Sequence, residues 1–274
     1  MTTSRSRRPA APARSGAGSR VLATTMVAGV TLGVGALLLW PREDERGAPI
    51  QVTAEKPASV ATFAAPSGVR ALSAAQQLAL AARTVFGPSG KAASVRDGAQ
   101  LITTPARLVW RGDTAVLIST AEMVDGCHGC TGGLDIAYLK PAGDRFTLVQ
   151  RWPDAVPGSS WGAPPGEWSV SDKFGANPVI YASGGGTWQG YTCSVFTLTE
   201  LGAGGPVGMV SVPEGYDDSG AGTTPATTLE GKIVNIVPDR GFDVNYTGTE
   251  SFTDHYVRQG DKYAARGEIR MRTC

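Results

Sequence analysis

Histidine is almost missing: only His128 and His255 occur in 274 residues, so most histidine-based acid–base schemes lack parts. No HExxH, Walker or dinucleotide-type glycine pattern is present either, which removes the commonest zinc-protease and nucleotide-binding readings. Acidic residues are absent from the first twenty positions, and charge of either sign is absent from Val21 to Trp40. A basic excess is lacking as well. Five of the 25 basic residues, Arg5, Arg7, Arg8, Arg14 and Arg20, lie in that first stretch, leaving 20 against 24 acidic residues beyond it. A mildly acidic remainder gives no electrostatic reason to expect nucleic-acid binding, which relies on clustered Lys and Arg meeting phosphates, and that class is set aside.

The uncharged stretch is long enough to matter. Twenty apolar or small residues at a helical rise of about 1.5 Å cover roughly 30 Å, the thickness of a bilayer's hydrocarbon core. Residues 21–40 are therefore read as a transmembrane helix that contacts the membrane. Residues 1–20 form a basic cytoplasmic tail, and the bulk of the chain lies outside by the positive-inside bias. Trp40 sits where an interfacial anchor belongs, and Pro41 disfavours helix continuation. A cleavable signal is the rival reading, but its apolar core is usually shorter, and the small-x-small run Val52-Thr53-Ala54 lies well beyond the apolar stretch. The Arg7-Arg8 pair lacks the apolar residues of an export signal after it, and Gly29 with Gly33 is explained by the frequency of glycine in membrane helices. Residues 41–70, rich in Ala, Pro and short polar residues, read as a flexible linker.

Residues 71–274 read as an extracytoplasmic β-rich domain. Ser73 followed by Gln76 is a capping box before helix formers from Ala74 to Phe86, and Gly87-Pro88 ends the run. Beyond it, short apolar runs are punctuated by Gly, Pro, Asn and Asp. Arg107–Trp110 and Thr114–Ile118 flank Gly112-Asp113; Ile136–Leu139 and Arg145–Val149 flank Gly143-Asp144; Tyr256–Arg258 and Lys262–Ala264 flank Gly260-Asp261. Each reads as a hairpin, and the first accounts for the Arg-Gly-Asp tripeptide without adhesion. Further strands are expected at Val179–Ala182, Cys193–Leu198, Val207–Val212, Ile233–Val237 and Phe242–Tyr246. The fold class is all-β, an antiparallel sandwich or barrel of about a dozen short strands with one short N-terminal helix. A small β-propeller-like domain is the alternative, because the stretch near Tyr256 partly echoes Tyr138 to Phe146.

Four cysteines in an exported domain most simply form two disulfides, with three possible connectivities, of which Cys127 to Cys130 and Cys193 to Cys274 is preferred. In the chain-entropy account the first closes four residues, for roughly 2 kcal/mol, and the second 82 residues, for roughly 4.5 kcal/mol. Cys127-His128-Gly129-Cys130 has the spacing of a redox dithiol, and the cysteines with a histidine have enough ligands for zinc, but a glycine-rich turn and oxidising surroundings disfavour both. Gly158-Ser159-Ser160-Trp161-Gly162 matches a nucleophile elbow, with Asp254 and His255 downstream, yet Ala163-Pro164-Pro165-Gly166 cannot form the interior of the helix that an elbow requires. Glu214, Asp217 and Asp218 lack the spacing of a calcium loop.

The richest chemistry lies in the middle. Four of the five tryptophans beyond Trp40 fall between residues 152 and 188. Ser183 to Tyr191 reads as a glycine-rich loop carrying Trp188, Gln189 and Tyr191, and with Trp161 and Trp168 these form the expected ligand-binding set, offering flat faces with polar tips. Such faces suit a cell-wall glycan or an envelope protein. The competing reading has Trp152, Trp161 and Trp168 simply covering the end of the sandwich. The function expected is a membrane-anchored binding or interaction module of the cell envelope, without cofactor or metal. The alternative is an envelope enzyme, either a thiol–disulfide protein or a serine hydrolase. Mass spectrometry of the chain recovered from membranes is expected to find residues 1–50 retained; their loss would make the apolar stretch a cleaved signal.

Overall fold

A computed structural model describes residues 67–274. The tail, the expected transmembrane helix at 21–40 and most of the linker lie outside them. Among the described residues no helix is long and apolar enough to cross a membrane. Gly68–Ala71, at the end of the expected linker, form a 3-10 turn that buries Val69 and donates from its amide to the Gly143 carbonyl at 2.9 Å.

Helix α1 (Ala74–Phe86) begins at Ser73, whose hydroxyl accepts from the Gln76 amide while the Gln76 side chain accepts from the Ser73 amide. This reciprocal cap satisfies two amides that the first turn leaves unpaired. Gly87, with φ +79°, ends the helix. The apolar face of α1 packs on one sheet face, where Ala81, Leu78 and Phe86 meet Ala115, Leu117 and Leu139.

Thirteen strands follow in two antiparallel meanders. Strands β1 (Ala92–Arg96), β2 (Ala99–Arg111), β3 (Thr114–Val124), β4 (Gly133–Ala142) and β5 (Arg145–Pro157) form the first sheet in chain order. Strands β6 (Glu167–Ser171), β7 (Val179–Trp188), β8 (Tyr191–Gly202), β9 (Gly205–Asp217), β10 (Thr228–Val237), β11 (Gly241–Gly248), β12 (Phe252–Gln259) and β13 (Lys262–Ala265) form the second. All three Gly-Asp hairpins and all five further strands expected from sequence are present. The strands are longer than expected, many of 10 to 13 residues, because breakers sit at bulges instead of ends. Pro105 marks a register shift in β2, and Pro213 another in β9. Such irregularities let a strand continue past a residue that cannot donate.

The propeller alternative does not hold. The two echoing hairpins, β4–β5 and β12–β13, belong to different sheets, and five- and eight-stranded meanders are not four-stranded blades. The eight-stranded sheet curls into a half-barrel around Phe196, Leu198, Val212, Phe242, Val244, Tyr246 and Tyr256. Phe196, Phe242 and Tyr246 are fully buried, each contributing about 2–3 kcal/mol by apolar area removed from water. The sheets meet face to face through Val116, Ile118, Ile136 and Val156 on one side and Ile180, Ala182 and Leu201 on the other. Strand β3 is thus covered on both faces, as its unbroken buried run from Ala115 to Ser119 requires.

All four cysteines are paired as expected, Cys127 with Cys130 and Cys193 with Cys274, at Cα separations of 5.0 and 6.1 Å. The long bridge pins the C-terminus to β8. Replacing Cys193 and Cys274 together by Ser is expected to cost about 4 kcal/mol and the Cys127/Cys130 double variant about half of that. Equal shifts of Tm in thermal melts of the two variants would contradict the loop-length argument.

Candidate functional site

The stretch expected as a loop from Ser183 to Tyr191 is instead the end of β7, a two-residue turn and the start of β8. Trp188 pairs with Tyr191, and Gln189 and Gly190 turn the chain with φ +52° and +87°. The glycines serve close approach, not flexibility. Strand β6 pairs with β7 only as far as Ser183. Beyond it, the loop after β5 takes over that edge: the Ser160 amide donates to the Gly185 carbonyl at 3.0 Å, and the Gly185 amide donates to Ser159 Oγ at 3.3 Å. A Cβ on Gly184 would lie 2.6 Å from the Gly158 carbonyl oxygen, and one on Gly186 would lie 2.5 Å from the Trp188 ring and 2.6 Å from Ser160 Oγ. Trp188 folds back over Gly186.

The same loop is clamped from the other sheet. The Gly162 amide donates to the Cys130 carbonyl and the Met123 amide to the Gly162 carbonyl, both at 2.9 Å, and the Trp161 amide reaches the His128 carbonyl at 3.4 Å. Trp161 itself adopts φ +62°, a left-handed conformation that is rare for a bulky side chain and costs roughly 1–3 kcal/mol. The other non-glycine residues with positive φ are Asp, Asn or the turn residue Gln189.

What this holds in place is a three-ring stack. The His128 imidazole lies between two indoles, with its centroid 4.6 Å from that of Trp161 and 5.6 Å from that of Trp188, at interplanar angles of 18° and 15°. His128 Nε2 lies 2.8 Å from the Thr187 carbonyl oxygen. A carbonyl only accepts, so Nε2 carries the hydrogen. The Cys127–Cys130 disulfide closes the turn carrying His128, with the Cys130 amide donating to the Cys127 carbonyl at 2.9 Å. Trp161 is 61% exposed, Trp188 41% and Tyr191 37%.

The structure therefore brings together Trp161, Trp188, Gln189 and Tyr191 but not Trp168. Trp168 packs between the sheets with Val170, and Trp152 does likewise, edge-on to Tyr138 at 4.9 Å. Those two are half-buried against the core, whereas Trp161 is exposed. His128, the centre of the stack, was not among the expected ligand-binding residues, and only its place between two cysteines hinted that it is held.

The other sequence motifs find separate uses. Asp254 pairs with Arg270 at 3.6 Å and His255 Nδ1 with Asp243 at 2.6 Å, so they do not form a triad with Ser160. No helix follows Trp161, and none begins at Cys127 or Cys130. Asp217 accepts from the Ser219 amide at 2.8 Å, while buried Asp218 accepts from the Thr227 amide at 2.6 Å. Glu214 accepts from the Tyr181 and Ser183 hydroxyls. Among the described residues no three acidic, histidine or cysteine side chains are grouped to hold a metal.

Comparison with protein-family models, with curated proteins and with solved structures finds no match.

Substituting Gly186 by Ala is expected to push Trp188 off the stack and to destabilise by about 1–3 kcal/mol. Gly129→Ala, which meets open space, is the control. The near-UV circular dichroism of the stacked indoles should fall in the first variant and persist in the second.

Proposed function

We propose that residues 67–274 form a binding module displayed outside the cytoplasm behind a membrane anchor at residues 21–40, and that the His128–Trp161–Trp188 stack with Tyr191 takes a cell-wall glycan. One observation carries this reading: three parallel rings are held at the surface with two indoles substantially exposed. Aromatic surface left in water forgoes burial, and here it is also ordered by a disulfide, a left-handed Trp161 and a glycine strip. Indole faces stack against the C–H faces of sugar rings, and their N–H edges and neighbouring polar groups take up the hydroxyls. Gln189 and the bonded pair Thr187–Thr192, 2.8 Å apart, supply those groups beside the rings. Complete pairing of all four cysteines supports an oxidising compartment. A thiol–disulfide or hydrolase reading draws no comparable support, since neither motif sits at the helix terminus that its chemistry needs.

Titration of the full chain with chitotetraose, followed by tryptophan fluorescence, is expected to saturate and to protect the indoles from acrylamide. Trp188→Ala and Trp161→Ala should each weaken binding about tenfold or more, the usual effect of removing an aromatic anchor. No fluorescence change, or indoles already insensitive to acrylamide, would remove the glycan assignment. Crosslinking from position 188 to an envelope protein, without glycan binding, would give the surface to a protein partner instead.

A further inference from the structure

A second site lies inside the half-barrel and does not depend on the aromatic surface. A cleft of about 640 Å³ opens between β6 and β7 on one side and β10 on the other, floored by Phe174, Ile233 and Ile236. The inward side of a curled sheet ordinarily carries apolar residues. Strand β7 begins that way with Val179, which joins the half-barrel core. The next two inward positions are Tyr181 and Ser183, and both donate their hydroxyls to Glu214.

Glu214 arrives there by a bulge. Strand β8 pairs Val195 with Pro213 and Ser194 with Gly215, leaving Glu214 as the extra residue. Bulges of this kind re-aim one side chain, and they concentrate near functional sites. Each carboxylate oxygen of Glu214 takes one hydroxyl, Oε1 from Tyr181 and Oε2 from Ser183, so each keeps acceptor capacity for a further donor. Burial first, and then the hydrogen bond and charge of Glu214, push the Tyr181 phenol well above its ordinary pKa, which keeps it a donor at neutral pH.

A second carboxylate lines the same cleft. Glu167 on β6 pairs directly with Ser183, so Glu167 and Glu214 flank the same serine on one face, and Glu167 also lines the cleft. Across the cleft, Glu230 lies 3.4 Å from Lys232 in an exposed ion pair. Lys173 is the remaining lining cation. Two carboxylates lining one cleft beside the same serine offer acceptors to a donor cation placed between them. The space is far larger than a metal ion needs, and Ser169, Ser171 and Ser194 add hydroxyls to the wall.

We propose that this cleft binds a small hydroxylated primary ammonium compound, of the chemistry of an unacetylated amino sugar, with its ammonium bridging Glu214 and Glu167 and its hydroxyls meeting the wall serines. Calorimetric titration of the full chain with glucosamine at neutral pH tests it. Saturable binding is expected, with N-acetylglucosamine, whose nitrogen carries no charge, binding at least about tenfold more weakly. Glu214→Gln and, separately, the edge-strand variant Glu167→Gln should each weaken glucosamine binding about tenfold. Trp188→Ala should leave it unchanged, which separates this site from the aromatic one. Equal affinity for both sugars, unchanged binding in Glu167→Gln and Glu214→Gln, or no saturation at all would overturn the proposal. A Glu214→Gln chain that melts early leaves Glu167→Gln to decide.

Discussion

Strand β7 is where the two sheets become one domain. Its residues alternate between two different interiors: Ile180 and Ala182 face the five-stranded sheet, while Val179 and Tyr181 face the core of the half-barrel. A strand buried on both sides cannot slip by one residue, because every side chain would then enter the wrong interior. That fixed register carries through to the strand's far end. It presents Ser183 to the cleft, strips Gly184 to Gly186 of side chains where the loop from Gly158 to Ala163 crosses, and delivers Trp188 onto His128. Both candidate sites are consequences of one strand's phase.

The loop after β5 is the complementary constraint. It lies between the β3–β4 connection and the glycine strip, bonded to Met123 and Cys130 on one side and to Gly185 on the other. Because it is held from both sheets, the left-handed Trp161 persists although its conformation is intrinsically unfavourable. The disulfide turn contributes in the same place by limiting what the His128 segment can do when unfolded. The surface rings are therefore set by backbone geometry, with little dependence on the rings' mutual attraction, which is worth only about 0.5–1.5 kcal/mol per pair.

Much of this architecture was legible in the residues, and the misses have physical causes. Helix α1 and its Ser73 cap were readable because a capping box is a local device, and the Gly-Asp hairpins because positive φ demands glycine. The hairpin of β1 and β2 went unread although Asp97-Gly98 marks its turn, since Ala92–Arg96 is an exposed edge with little apolar content to announce it. Ser183 to Trp188 looked like a loop because three successive glycines favour no conformation of their own; their extended state is set by Ser159, Ser160 and the β8 partner strand. Trp168 and Trp161 could not be told apart by type, only by which face their segments present. That the cysteines form two disulfides was readable from their number, while which cysteine meets which needed the fold; the His128 stack likewise required segments that are distant in sequence to meet.

An exposed aromatic residue on its own needs no explanation, since much of any protein surface is apolar. The argument from this surface rests instead on cost. Trp161 could relieve its backbone by adopting an extended conformation, and position 186 must be glycine because a Cβ there would meet both the Trp188 ring and Ser160. The chain accepts both constraints and adds a disulfide that closes only a four-residue loop, which contributes about half of what the long bridge does. The same reasoning applies inside the half-barrel, where a bulge and two hydroxyls accommodate a carboxylate that a leucine would replace with gain in burial. Where local geometry departs from what stability alone favours, at two places joined by the same strand, the two proposed ligand sites would account for both.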